Sequence, residues 1–365
     1  MTTTDPQPTT AAPRVALRDR LLKLAEFLTT PLLPTDYLDL VDPLRSGADL
    51  RGRIEAIQPE TRDAATVVIR PGRGWRPHQP GQYIRIGIDV DGVRQWRAYS
   101  LTSDLTRTDG CISVTVKAIP GGKVSNHLVR RAEPGTIVQL DQAAGEFCLP
   151  DRHPDKALFV TAGSGITPVM GILRNHPELT DVVLVHSSPT ADDVVFGAEL
   201  RQLAAEGRIQ LIEQHTDTAG MLDARSIADL VPDLHERSTW ACGPVGMLEA
   251  LEEHFTEAGL ADRLYTERFR PSVVVTGEGG TVSFTKNGAT LEADGATPIL
   301  DAAEEAGVLM PSGCRMGICY GCVLPLREGA VRDLRNGELT VAAPGDGVLI
   351  QTCVSAAAGA CDIDH

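Results

Sequence analysis

The spacing of apolar positions changes along the chain, and each change marks a different kind of element. Leu17, Leu21, Leu24 and Leu28 recur at helical spacing, with Arg18, Lys23 and Glu26 on other faces, until Pro31 and Pro34 end the run. That apolar stripe can pack on the following domain or lie against a membrane or a membrane-bound partner. From about 50 to 150 the segments Ala65–Arg70, Gln82–Ile88, Ala98–Thr102, Cys111–Lys117 and Thr136–Asp141 read as short strands. Turns such as Asp91-Gly92 separate them, which predicts an antiparallel β-barrel. From 156 the runs ALFVT, DVVLVH, RIQLIE and STWACG alternate with helical stretches, one near 196–206 and one in GMLEALEEHF. This is the pattern of a parallel α/β sheet with crossover helices. After PSVVVTGEGG a β-rich texture resumes at Thr281, and ILDAAEEAG predicts a short helix. The expected fold is therefore multidomain α/β and β. Its predicted parts are a disordered tail and amphipathic helix over 1–47, a barrel over 48–150, a parallel α/β domain over 151–270, a linker over 271–278 and a β-rich domain over 279–365.

A chain of 365 residues exceeds what one core usually organises, which agrees with several domains. The formal charge of −15 repels phosphate backbones, so nucleic acid is excluded as a partner. Residues 271–365 hold 12 acidic against 5 basic side chains, a net of −7. Such a surface either docks a basic partner or simply keeps the protein soluble. The opening MTTTDPQPTTAAPR has no apolar core behind a basic start, and no apolar run reaches spanning length. A cytoplasmic protein without a transmembrane segment is expected, peripheral to a membrane only through a partner.

Of eight cysteines, Cys111, Cys148, Cys242 and Cys361 are scattered, whereas Cys314, Cys319 and Cys322 follow C-x4-C-x2-C with Cys353 as a distant fourth thiol. In a reducing compartment this clustering points to metal, and the spacing is that of a plant-type [2Fe-2S] centre. Gly313, Gly317 and Gly321 interleave the thiols and let backbone N–H groups approach the sulfurs. A zinc site is the alternative, although zinc ribbons favour paired C-x2-C knuckles. Cys361 competes for the fourth place. Cys353 is preferred because QTCV leaves an apolar strand, while Cys361 lies in a terminus expected to fray.

Gly163-Ser164-Gly165-Ile166-Thr167-Pro168 follows the strand ALFVT and opens a helix, so its N–H groups can hold a pyrophosphate, or it can be a plain strand–helix turn. Ala241-Cys242-Gly243-Pro244 ends a later strand of the same unit, at the sheet edge where ligands bind. In the barrel region, Arg97-Ala98-Tyr99-Ser100 offers a cation, an aromatic ring and a hydroxyl on one strand. Gly121-Gly122-Lys123-Val124-Ser125 precedes a helix and can add N–H groups to the same phosphates. Together these pieces suit a flavin.

At this point the chain resembles ferredoxin–NADP reductase-like flavoproteins fused to a plant-type ferredoxin, from about residue 50 to its end. RAYSLTS matches the flavin motif, GGKVSNHL the phosphate loop, TAGSGITPVMGILR and ACGPVGML the pyridine-nucleotide motifs, and CRMGICYGC the cluster loop. The resemblance implies an FAD-binding β-barrel, an NAD(P)-binding domain and a β-grasp [2Fe-2S] ferredoxin domain. It implies that Arg97 holds the flavin diphosphate, Tyr99 stacks on the ring and Ser100 hydrogen-bonds near N5, with Ala98, Lys117, Gly122, Lys123, Val124 and Ser125 completing the FAD site. Gly163, Gly165, Thr167, Pro168, Ser187, Ser188, Gly243 and Pro244 would hold the nucleotide. Cys242 and Glu267 would flank the nicotinamide, and Phe269 would cover the flavin's other face. FAD is expected over FMN. His186-Ser187-Ser188 is neither acidic nor strongly cationic, and NADPH is expected with NADH left open. Within the family, TTPLLPTDYLDLVDPL, HSSPTADDVVFGAEL and VRDLR look most like the reductase of membrane acyl-CoA (stearoyl-CoA) desaturases. Similar reductases serve alkane hydroxylases, steroid Rieske oxygenases and haem-thiolate monooxygenases. The expected partners are thus a pyridine nucleotide and a protein electron acceptor. A redox-sensing flavin and iron–sulfur carrier is the rival from another class.

Overall fold

The computed structural model describes residues 38, 41–45, 49–269, 275–317 and 320–365; the predicted tail and the helix over 17–28 lie outside them. Strands β1 (Arg51–Thr61), β2 (Ala64–Pro71), β3 (Tyr83–Val90), β4 (Val93–Ser100), β5 (Ile112–Lys117) and β6 (Ile137–Leu140) form an antiparallel sheet in the order β4-β3-β6-β1-β2-β5. A bridge between Leu101 and Val114 joins the two outer strands and closes the barrel, which removes the exposed edges of an open sheet. Alternate residues point inward: Val67 and Ile69 on β2, Ile84 and Ile86 on β3, and Val114 and Val116 on β5 are each no more than 1% exposed. Helix α1 (Lys123–Arg130) packs on this core through Val124 and Leu128.

The period then changes as the sequence predicts. Five parallel strands, β7 (Ala157–Ala162), β8 (Val182–Ser188), β9 (Gln210–His215), β10 (Ser238–Cys242) and β11 (Leu264–Glu267), run in the order β11-β10-β7-β8-β9. Phe159, Leu184 and Trp240 share one core with α2 (Ile166–Asn175) and α3 (Gly197–Ala205). Leu158, Val160, Val183 and Val185 share another with α5 (Ala224–Leu230) and α6 (Val245–Glu257), after the short α4 (Thr216–Ala219). Burial on both faces explains why β7 and β8 read as nearly unbroken apolar runs. The strand order reverses between β7 and β10, which opens a crevice at their C-terminal ends. At the junction with the barrel, Trp240 stacks on Tyr265 at 4.8 Å and its Nε1 donates to the Cys148 carbonyl at 3.3 Å.

The last domain is a mixed sheet of β12 (Gly280–Phe284), β13 (Thr290–Ala293), β14 (Val323–Asp333), β15 (Leu339–Ala342) and β17 (Ser355–Ile363), ordered β13-β12-β17-β14-β15, with β16 (Val348–Gln351) paired to β14. Its first and last strands, β12 and β17, lie side by side in parallel, and α7 (Ile299–Glu305) packs Ile299 and Ala303 into the core: a β-grasp arrangement. Cys361 corrects an expectation. It lies within β17, between β12 and β14, and is 2% exposed, so the terminus is a paired central strand and its thiol belongs to the sheet core. No described helix is long and apolar enough to cross a membrane.

Candidate active site

Parallel pairing aligns Glu267 with Cys242, Cys242 with Thr161, and Thr161 with His186. Residues in register on neighbouring parallel strands point to one face, so these four side chains form a row along the C-terminal edge of the sheet. The row faces the barrel side, where Cys148 feels the charge of Glu267 and His186 that of Lys117. Glu267 is half-buried as a residue, but its Oε2 is shut off from solvent and has no hydrogen-bond partner among the described residues, and this desolvation raises its carboxyl to about 8. The Cys242 thiol is pushed well up, first by complete burial and then by Glu267. A neutral thiol beside a carboxyl that titrates near neutrality is an arrangement that can hold or move a proton without presenting a permanent charge. At the other end, burial above all, with His215 and Lys117, lowers His186 to about 4; Thr161 Oγ1 pairs with its Nδ1 at 2.8 Å, and its Nε2 is unpartnered among the described residues.

The two glycine turns beside this row interlock. A Cβ on Gly165 would stand 2.0 Å from the Cys242 carbonyl oxygen, and one on Gly243 would stand 3.3 Å from the Ala162 nitrogen. Only glycine lets the turn after β7 and the turn after β10 approach so closely, and their meeting is what shapes the crevice. Gly163 has φ +54, Thr167 Oγ1 donates to the Ser164 carbonyl at 2.9 Å, and Thr167 and Pro168 are buried in the first turn of α2. The helix start thus presents backbone N–H groups from a fixed turn, which fits a diphosphate. Ser187 and Ser188 are 3% and 2% exposed at the end of β8, and Ser188 Oγ already donates to the Thr190 carbonyl at 2.8 Å. Pro244 caps the start of α6, and Phe269 is partly exposed two residues past β11.

On the barrel, β4 carries Arg97, Ala98, Tyr99 and Ser100. Burial first, and then the nearby Arg315, lower Arg97 to about 10; no carboxylate among the described residues forms an ion pair with it. Ser100 is 2% exposed and its Oγ has no hydrogen-bond partner among the described residues. Burial raises the Tyr99 hydroxyl. A half-buried cation without an ion-pair partner and a buried hydroxyl without a hydrogen-bond partner, both among the described residues, are costly on one strand unless a ligand completes them, and a flavin with its diphosphate has the groups to do so. Lys117 pairs with Asp63 at 3.3 Å. Gly122 caps α1, Lys123 is exposed and Ser125 Oγ is close to the Gly122 carbonyl at 3.4 Å. The Val124 side chain points into the barrel core, leaving only its backbone for a ligand.

In the β-grasp domain Cys314, Cys322 and Cys353 are each at most 5% exposed. Cys319 lies outside the described residues. The Cys353 thiol is raised strongly, first by its hydrogen bond with Cys322, then by burial, with Cys314 adding to the effect. Three thiols crowded into one apolar place disfavour one another's ionisation, and a bound metal centre reverses this. The loop is shaped for it: Gly317 has φ +75, its carbonyl accepts from Gln351 Nε2 at 2.9 Å, and the Met316 N–H donates to Cys314 Sγ at 3.3 Å. These residues fit the [2Fe-2S] reading.

Thr161, His186 and Cys148 escaped the sequence reading as members of the site. The first two extend from Cys242 along a row that only strand pairing reveals, although both occupy the ends of recognisable strands. Cys148 had no spacing signal and is brought to Glu267 by the chain crossing from the barrel to β7.

Comparisons with known proteins agree with this arrangement. Family models match three stretches: an oxidoreductase FAD-binding domain at 77–148, an oxidoreductase NAD-binding domain at 159–253 and a 2Fe-2S iron-sulfur cluster binding domain at 284–358. The chain is 50% identical to an NADPH oxidoreductase of Mycobacterium tuberculosis, over 97% of this chain and 96% of that protein. It is 28% identical to a glycine betaine monooxygenase reductase subunit of Pseudomonas aeruginosa, over 75% and 84% of the two chains. Phthalate dioxygenase reductase has a similar fold, with a TM-score of 0.60 at 21% identity over 86% of this chain and 97% of that one. Fold, site and a relative matched along nearly its whole length converge, and the chain belongs to the NAD(P)H oxidoreductases that join an FAD domain and a nucleotide domain to a C-terminal [2Fe-2S] domain.

Proposed function

We propose that NADPH is the preferred donor, that the protein acceptor is a membrane acyl-CoA desaturase, and that the residues above take the roles their motifs imply. FAD, when bound, accepts two electrons from the pyridine nucleotide, and the [2Fe-2S] centre passes them on singly to a partner. Arg97 and the Gly122–Ser125 turn would hold the flavin diphosphate, with Tyr99 against the ring and Ser100 donating to it. The Gly163–Pro168 turn, Ser187, Ser188, Gly243 and Pro244 would orient the nucleotide. Cys242 and Glu267 would exclude water and keep a proton available beside the nicotinamide, and Phe269 would shield the flavin. Cys314, Cys319, Cys322 and Cys353 would hold the cluster. The domain bounds proposed are 48–150, 151–270 and 279–365.

The observation that carries this reading is the pair of buried groups without a hydrogen-bond partner among the described residues, Ser100 Oγ and Glu267 Oε2, on the two domains that meet at the crevice. NADPH is favoured by the 50% identical NADPH oxidoreductase. The desaturase acceptor is favoured by the resemblance of TTPLLPTDYLDLVDPL, HSSPTADDVVFGAEL and VRDLR. A second acceptor class, a monooxygenase, is favoured by the reductase subunit among the relatives.

The test is an anaerobic visible spectrum with NADPH and NADH added separately, followed by reconstitution with a membrane desaturase or a soluble oxygenase. Bleaching with NADPH at lower concentration than NADH, and turnover with the desaturase, is the expected result; turnover only with the oxygenase selects the second acceptor. Cys353→Ser should abolish one-electron cytochrome c reduction and retain ferricyanide reduction at the flavin. Loss of both would mean that the cysteine loop supports the fold.

A further inference from the structure

We propose that α2 is a strut that sets the spacing between the flavin and nucleotide half-sites, with Asn175 and Arg174 as its positioning residues. The inference rests on the NAD(P)H-to-FAD reading above and goes beyond it by naming what holds the two halves in place.

Helix α2 begins at the nucleotide turn, directly after Gly165, and runs about 15 Å at the usual rise per residue. Its far end is bolted to the segment that follows Ser100. Asn175 Nδ2 donates to the Ser103 carbonyl at 2.8 Å, and Asn175 Oδ1 accepts from the Leu105 N–H at 2.7 Å. Arg174 Nη1 donates to the Thr102 carbonyl. The Arg174 guanidinium is itself held, by Glu199 through its Nε at 2.8 Å and by the Phe196 ring at 4.8 Å. Midway along, the helix backbone lies against the barrel without any side chain between them: a Cβ on Gly171 would be 2.4 Å from the Leu101 carbonyl oxygen. One rigid element therefore touches residue 101 at its middle and residues 102, 103 and 105 at its far end, and starts within the Gly163–Pro168 turn. Three neighbouring carbonyls and an amide met by one helix are more than surface packing requires. They fix the direction in which β4 delivers Ser100.

A shift of about 1 Å between reacting groups can lower a rate by roughly a hundredfold without changing either binding step. Removing the Asn175 contacts should therefore separate chemistry from binding. The experiment uses holoprotein carrying Asn175→Ala or Arg174→Ala, measured for FAD content, thermal midpoint, NADP+ dissociation constant, the long-wavelength charge-transfer absorbance on mixing with NADPH, and the anaerobic flavin reduction rate at saturating NADPH. The expected result is a fall in rate of about tenfold or more and a weakened charge-transfer band, with FAD content and the NADP+ dissociation constant within about twofold of wild type. Asn175→Asp, which keeps the acceptor for the Leu105 N–H, should recover part of the rate. An unchanged rate and band would overturn the inference, as would a rate loss that tracks FAD release or a lowered midpoint in both variants. If wild-type flavin itself is not reduced by NADPH or NADH, the functional reading falls instead.

Discussion

Glu267 gives the most direct consequence at the scale of a single residue. Its folded carboxyl is raised from 4.5 to about 8 by burial, so folding holds a proton that the unfolded chain releases. Below pH about 4.5 both states are protonated and burial of the carboxyl costs nothing electrostatic. As pH rises toward 8 the unfolded state gains, and above 8 the cost is constant. Glu267→Gln should therefore match wild type near pH 4.5 and exceed it by a few kcal/mol at pH 8 when thermal midpoints are compared without nucleotide. Ser100→Ala removes a buried hydroxyl that has no partner among the described residues, so the stability of the flavin-free protein should change by less than about 1 kcal/mol. Flavin reduction should fall roughly a hundredfold, the order found for one donor lost from a reacting centre, and stopped-flow absorbance measures it. The motifs and the family resemblance single out Ser100, Cys242 and Glu267 in the sequence. What they could not convey is that Glu267 lacks a counter-ion among the described residues, because that depends on which side chains pack around it.

At the scale of elements, the interlocked glycine turns make a sharp comparison. Gly165→Ala drives a methyl into the Cys242 carbonyl at 2.0 Å and should cost about 3 kcal/mol or more in urea unfolding. Gly246, inside α6, has nothing within 4 Å of its Cβ position, so Gly246→Ala should be neutral or stabilising by up to about 1 kcal/mol. In the parallel sheet β7, β8 and β10 were readable because each is a largely apolar run, and β7 and β10 are each followed by a glycine turn. β1 was not, because register shifts between Ile54 and Ala56 and between Pro59 and Thr61 break the two-residue alternation that marks a strand. β4 was read from Ala98 onward, whereas it begins at Val93: Arg94 and Arg97 gave its first half a polar look that only pairing with β3 explains. β17 was missed for a related reason. Its run of small residues has little strand propensity of its own and depends on β12 and β14 on either side.

At the scale of the molecule, charge and domain order act together. The net charge of −15, of which −7 falls in 271–365, should attract a basic acceptor to the cluster-bearing domain over a distance set by salt. Cytochrome c reduction should slow several-fold as ionic strength rises through about 0.1 M, where screening acts within roughly 10 Å. Ferricyanide, an anion, should show the opposite trend or none. The order of the three domains was legible because each carries its own hydrophobic period and its own motif. The contacts of α2 with the barrel were not, since they are accepted by backbone carbonyls at Leu101, Thr102 and Ser103, and carbonyls leave no mark in a sequence.

Trp240 turns one of these junctions into a built-in optical gauge. Of three tryptophans in the chain, Trp75 and Trp96 belong to the barrel region, whereas Trp240 lies flat on Tyr265 with its indole N–H on the Cys148 carbonyl. Loosening of that joint would wet the indole and redden its emission, so a Trp75→Phe, Trp96→Phe protein would report, by fluorescence alone, whether the nucleotide half swings away from the barrel while electrons pass.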